Sequence, residues 1–121
     1  LDNPQRPALR ILTYNLLADQ YASQEYSKAV LFAHTREGLL DIELRKQRIL
    51  RQLLNSRADL MCLQEVDKKV FERYYEPMLG AEGFSGVFAS KIGGTSEGSA
   101  VFFRRSVFRL HFSYAALLCF C

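Results

Sequence analysis

The stretch RADLMCLQEVD, residues 57–67, constrains this chain more than any other. Leu60 to Leu63, flanked by Ala58 and Val66, suit burial, and a run this apolar marks a strand covered on both faces of a parallel sheet. Yet it closes on Gln64 and Glu65. In α/β sheets ligands gather beyond the carboxyl ends of parallel strands, so what stands beside Glu65 decides how to read it.

The neighbour is set by the segment upstream. Residues 9–16, LRILTYNL, read as a strand with Leu12, Tyr14 and Leu16 on one face and Ile11, Thr13 and Asn15 on the other. Residues 18–38 have mixed periodicity and read as a loop with a short helical turn. Leu40, Leu44, Ile49, Leu50, Leu53 and Leu54 then form a helical stripe, with Arg45, Lys46, Arg48 and Arg51 off it and Asp41 at the favourable amino end. Asn55-Ser56 weaken the helix before the strand at 58–66. Strand, helix, strand makes a βαβ unit with parallel pairing and a right-handed crossover. Asn15 and Glu65 therefore end neighbouring strands on the same side. Downstream, Asp67 is placed to cap a helix over 68–79, with Val70, Tyr74 and Met78 on one side and Pro77 at its end. GFSGVFASK and SAVFFRRSVF read as two strands joined by the seven-residue loop IGGTSEG.

Composition bounds the rest. A chain of 121 residues, 49% hydrophobic, can build one small core. A net charge of +3 permits a polyanionic partner without arguing for one. No apolar run approaches the roughly 18 residues of a membrane span, and no signal-peptide pattern is visible. The three cysteines lack metal-site spacing; Cys62 packs as a small hydrophobe, and a reducing, intracellular compartment fits. Residues 1–8 read as linker-like. The apolar end, residues 111–121, closes without a turn or polar residues, which leads us to expect a chain that stops before its domain does.

Few residues carry chemistry. A strand-end carboxylate such as Glu65 can bind Mg²⁺, which takes oxygen ligands and keeps waters and substrate phosphates in its shell; it can equally be a solvated group paired with Lys68 or Lys69. Asn15 alone reads as a turn former. His34 and His111 stand apart as surface or packing residues. GGTSEG lacks the Lys-Ser/Thr of a phosphate loop. Arg104-Arg105 and the basic helix face read as solvated surface before phosphate contacts. Tyr21, Tyr26, Tyr74 and Tyr75 read as packing before base stacking.

Taken together, ILTYNLLAD, ADLMCLQEVD and EGSAVFF resemble the endonuclease/exonuclease/phosphatase superfamily, and LQEVD after NLLA resembles its deadenylase branch. NLLADQYASQEYSKAVLF and VFERYYEPMLGAEGFSGVFASK resemble the 2′,5′-phosphodiesterases of that branch, a likeness that spans most of residues 9–110. The resemblance implies an α/β fold, the N-terminal portion of a four-layer α/β sandwich of the deoxyribonuclease I type, with a divalent metal at its centre. On that pattern Glu65 matches the family's metal-binding glutamate, and Asn15 matches the asparagine that sets the catalytic pocket at the scissile phosphate. The family's later histidine, Asp-x-Asn and Ser-Asp-His motifs do not occur, so the chain resembles about the first third of such a domain.

The expected parent is a Mg²⁺-dependent phosphodiesterase, with Mn²⁺ as a substitute, that trims RNA or oligoadenylate from the 3′ (2′) end. A cytoplasmic-type poly(A) deadenylase and an inactive fragment with only a binding role are the alternatives. The 121 residues alone are expected to be inactive. Resemblance implies a mitochondrial location, with cytoplasm as the alternative; no protein partner and no membrane association emerge from the sequence.

Overall fold

A computed structural model describes residues 8–22 and 41–115. The βαβ unit is present: β1 (Ile11–Asn15) runs parallel to β2 (Leu60–Asp67), with Ile11 opposite Leu60 and Asn15 opposite Gln64. Between them lie the short α1 (Asp19–Ala22) and α2 (Ile42–Asn55). Asp41 caps α2 outright, its side chain accepting from the Glu43 N–H at 2.7 Å. After β2 come α3 (Lys68–Val70), a π-helical turn (Phe71–Tyr75) and α4 (Glu76–Ala81). The hairpin β3 (Phe84–Ser90) and β4 (Glu97–Arg104) completes a mixed sheet of order β1-β2-β4-β3.

The core lies on one face of this sheet. Met61, Leu63 and Val66 of β2 meet Ala100 and Phe102 of β4, and Ile49, Leu50, Leu53, Phe71, Tyr75 and Leu79 close over them from the helices. The other face was expected to be covered as well. Among the described residues it is not: Ile11 is 63% exposed, and Thr13, Asn15 and Ser99 also lie open. The alternation of β1 explains this, since its second face is largely polar. The described elements thus form a sheet and a helical layer, part of the expected sandwich. None of the described helices is long and apolar enough to cross a membrane.

Several local expectations give way to tertiary packing. Leu44 is 41% exposed, whereas Arg45, expected off the stripe, turns inward. Helix 68–79 does not end at Pro77 but continues to Ala81. The π turn accounts for this, because Glu76 N–H already reaches back five residues to Phe71 O. Pro77 then opens a new α segment, where its missing N–H costs least. The wider turn also keeps every fourth residue in line. The row that is buried is Phe71, Tyr75 and Leu79, leaving Met78 45% exposed. Asp67 stands at the helix start without capping it; its carboxylate accepts instead from Asp19 N–H at 2.8 Å.

At the hairpin, Glu97 and Gly98 belong to β4, so the connection runs only from Lys91 to Ser96. β4 ends at Arg104 instead of Phe108. There Arg104 binds Asp59 (3.1 Å) and Ala58 O (3.1 Å), and Arg105 binds Gly80 O (2.8 Å) and Phe84 O. These two arginines, expected as solvated surface, tie the strand ends together. Tyr75 is buried and Tyr74 half-buried, as packing residues are, and His111 is exposed and edge-on to Phe112. His34, Tyr26, Leu40, Cys119, Cys121, residues 1–7 and the loop over 23–38 lie outside the described residues, as does the Tyr21 side chain.

Candidate active site

A strict two-residue alternation along β2 would send Glu65 to the same face as Met61 and Leu63, into the core. The strand avoids this with a β-bulge. Leu63 pairs with Ala100 and Val66 with Gly98, so Gln64 and Glu65 together oppose Ser99. Glu65 takes the extra step in the left-handed region, at φ 52°. The bulge keeps both Leu63 and Val66 in the core and turns the carboxylate out of it. A non-glycine residue held this way costs about 1–3 kcal/mol and persists only where its surroundings over-determine it.

The surroundings are β1 and the turn after it. Leu16 N–H donates to Gln64 O (2.9 Å), carrying the parallel pairing one step past β1. Asn15 uses both ends of its amide: Nδ2 donates to Glu65 Oε1 at 2.9 Å, and Oδ1 accepts from Leu17 N–H at 2.9 Å. Leu17 is itself left-handed, at φ 56°. Asn15 and Glu65, expected at one end of adjacent strands, are therefore in direct contact. Of the two readings open for Glu65, pairing with the following lysines is not what forms: Lys68 Nζ lies 4.0 Å from Glu72 instead. Gln64 turns back onto Thr13 Oγ1 (3.2 Å) and Cys62 O (3.0 Å).

Glu65 lines an open cleft of about 470 Å³ with Gln64, Lys91, Glu97 and Ser99. Glu97, at 2% exposure, is a second carboxylate in this cleft and pairs with Lys91 Nζ at 2.7 Å. Sequence reading passed over it. The signal was an acid opening an apolar strand just before a glycine, the mirror of Glu65 closing one. On the other side of the bulge Asp67 is half-buried, and burial raises its carboxyl above the ordinary value despite the bond from Asp19 N–H. Burial likewise pushes the Tyr75 hydroxyl well above its ordinary value.

The donor set suits a hard cation. Among the described residues no three His, Cys, Asp or Glu side chains gather into an all-protein cage. Mg²⁺ does not require one, since it binds through one or two carboxylates and completes its shell with water and phosphate oxygens. Because Asn15 turns its N–H toward Glu65, its amide orients the carboxylate, which keeps oxygen lone pairs for a cation.

Residues 12–120 match the model of the Endonuclease/Exonuclease/phosphatase family. The chain belongs to this family. Within the Endonuclease/Exonuclease/phosphatase family it is 43% identical over 102 residues to 2′,5′-phosphodiesterase 12 of Mus musculus, covering 84% of this chain and 16% of that protein. It is 31% identical over 109 residues to the CCR4-Not complex 3′-5′-exoribonuclease subunit Ccr4 of Saccharomyces cerevisiae, covering 83% of this chain and 12% of that one. The chain thus spans less than a fifth of the length of these curated relatives. Among solved structures it superposes on ANGEL2, a 2′,3′-cyclic phosphatase, with a TM-score of 0.74 at 26% identity, over 81% of this chain and 27% of that one. The α/β fold expected from the sequence is the fold of this Endonuclease/Exonuclease/phosphatase relative.

Proposed function

We propose that the protein carrying this segment is a Mg²⁺-dependent phosphodiesterase that removes nucleotides from the 3′ (2′) end of RNA or oligoadenylate, with Mn²⁺ as a substitute. The observation that carries the reading is Glu65, turned out of the core by the bulge and held by Asn15 at 2.9 Å in a family of phosphate-ester enzymes. Glu65 is the metal-binding carboxylate and Asn15 the amide that fixes it. The bound metal supplies charge neutralisation at the phosphate. Asn15 keeps the Glu65 carboxylate from turning away, so its geometry is set before substrate arrives. The proton-transfer groups that hydrolysis needs come from the rest of the catalytic domain, so the 121 residues alone are inactive.

The relatives support the substrate class: one is named for 2′,5′-phosphodiester bonds and another for 3′-5′ exoribonuclease action. The likeness to Ccr4 keeps a poly(A) deadenylase as the second reading. An intracellular setting, mitochondrial or cytoplasmic, belongs to the same reading and suits the free thiol of Cys62.

The test is Glu65→Gln in the whole protein, assayed with 2′,5′- and 3′,5′-linked adenylates and Mg²⁺. The amide keeps the shape and loses the charge, so most turnover should disappear while the thermal midpoint stays. Near-normal turnover at saturating Mg²⁺ refutes Glu65 as a ligand.

A further inference from the structure

Behind the Asn15–Glu65 pair lies a cation that a helix surface does not call for. Arg45 is in the first half of α2, yet its side chain leaves the solvent face and runs under the end of β1. Its Nη2 donates to Leu16 O at 3.3 Å and to Leu17 O. Leu17 is the left-handed residue whose N–H is held by Asn15. The bonds therefore form one series: Arg45 guanidinium to Leu17 carbonyl, Leu17 N–H to Asn15 Oδ1, and Asn15 Nδ2 to Glu65 Oε1. Arg45 and Glu65 also line the same small recess, together with Asp67 and Tyr75.

Stability alone is a weak reason for this arrangement. Arg45 Nη1 is buried without a hydrogen-bond partner among the described residues. An unsatisfied buried donor on a charged group is destabilising, and this offsets part of what the bonds to the two carbonyls contribute. The guanidinium can nonetheless do what an apolar side chain cannot: bind two successive carbonyls through Nη2 and hold a left-handed turn closed.

We infer that Arg45 is a positioning residue for the metal-binding carboxylate, acting through the Leu16–Leu17 carbonyls and Asn15 on Glu65. This rests on the reading of Glu65 given above. Without Arg45 the turn at Leu17 relaxes, the Asn15 amide loses its aim, and Glu65 samples orientations that do not bind the cation. Arg45 does not itself line the open cleft beside Glu65, so the defect falls on metal binding and turnover more than on substrate affinity.

The experiment uses the whole protein, with Arg45→Met, Arg45→Lys and Glu65→Gln side by side. Mn²⁺ binding is measured by the paramagnetic resonance signal of the free ion, alongside thermal midpoints and steady-state kinetics on adenylates. Arg45→Met, which leaves the Leu16 and Leu17 carbonyls without this donor, should melt below the wild-type temperature, bind Mn²⁺ about 10–100-fold more weakly, as expected when the support of a ligand is lost, and show lowered kcat with KM little changed. Arg45→Lys, which keeps the charge but not the rigid planar group, should lie between. It also decides the matter if Arg45→Met is poorly folded: weakened Mn²⁺ binding at a wild-type midpoint supports the inference, and unchanged binding overturns it. Wild-type Mn²⁺ affinity and kcat in Arg45→Met overturn it too. If Glu65→Gln leaves Mn²⁺ binding untouched, the reading of Glu65 itself fails, an outcome distinct from the others.

Discussion

Replacing Gly98 by alanine adds one methyl group at the most crowded backbone position beside the bulge. A Cβ there would lie 2.1 Å from Ala89 O, 2.9 Å from the Ala89 carbonyl carbon and 2.8 Å from Phe88 Cζ. Ordinary carbon–oxygen and carbon–carbon contacts begin at about 3.3–3.5 Å. The nearest obstacle is main chain, so no side-chain rotation relieves it. β4 cannot step aside, because Gly98 is paired on one side with Ser90 and on the other with Val66. Separating β3 from β4 by about an ångström loosens this end of the ladder, and overpacking of this kind costs about 1–3 kcal/mol, sometimes more. In a domain of 150–250 residues each kcal/mol lowers the melting temperature by about 2–4 °C. Gly80→Ala makes the same chemical change in α4, where a Cβ meets nothing within 4 Å, and should stabilise by about 0.5–1 kcal/mol. Thermal unfolding of the whole protein, followed by circular dichroism, compares the two. Equal midpoints, or a larger loss at Gly80, would refute the steric argument. Because Gly98 faces the residue after Glu65, its variant should also bind Mn²⁺ more weakly.

Asn15→Ala removes the donor to Glu65 Oε1 and the acceptor for Leu17 N–H, and should weaken Mn²⁺ binding and turnover about 10–100-fold; unchanged Mn²⁺ affinity would show that Glu65 keeps its orientation unaided. Asp59 accepts from Arg10 N–H at 3.0 Å and from Arg104 at 3.1 Å, and these hold its carboxyl below its ordinary value of 3.8. Its ionised form therefore stabilises the fold fully above 3.8, and the contribution is lost as pH falls below that value through the lower folded-state pKa. Asp59→Asn should flatten the acid limb of a melting-temperature series below about pH 4, and parallel curves for variant and wild type would contradict the assignment.

The βαβ frame was legible because each of its parts repeats one signal: a continuous apolar run at Leu60–Leu63 and a stripe at Ile49, Leu50 and Leu53. The end of the unit was legible for the same reason, so Asn15 and Glu65 were placed together before any geometry was known. What escaped depends on partners distant in sequence. The bulge at Glu65 is set by the register with β4 and by an amide fifty positions earlier. Arg45 is an ordinary surface residue on a helical wheel until the Leu16 and Leu17 carbonyls are brought beneath it. Val70, Tyr74 and Met78 have the same spacing as Phe71, Tyr75 and Leu79, and periodicity alone cannot choose between two rows that both repeat every fourth residue.

The π turn has a consequence for length. A π turn is an α-helix that carries one residue more than it needs. Deleting one residue between Phe71 and Tyr75 would restore a plain α-helix and bring Leu79 to the seventh position after Phe71, about 20° from it around the axis. Leu79, now fully buried, would stay on the core face, and the Gly80 carbonyl would stay near the Arg105 guanidinium that ties this helix to the end of β4. The same deletion elsewhere in the helix would turn every later side chain by about 100°. The segment from Phe71 to Tyr75 should therefore accept the loss of one residue more readily than its neighbours do.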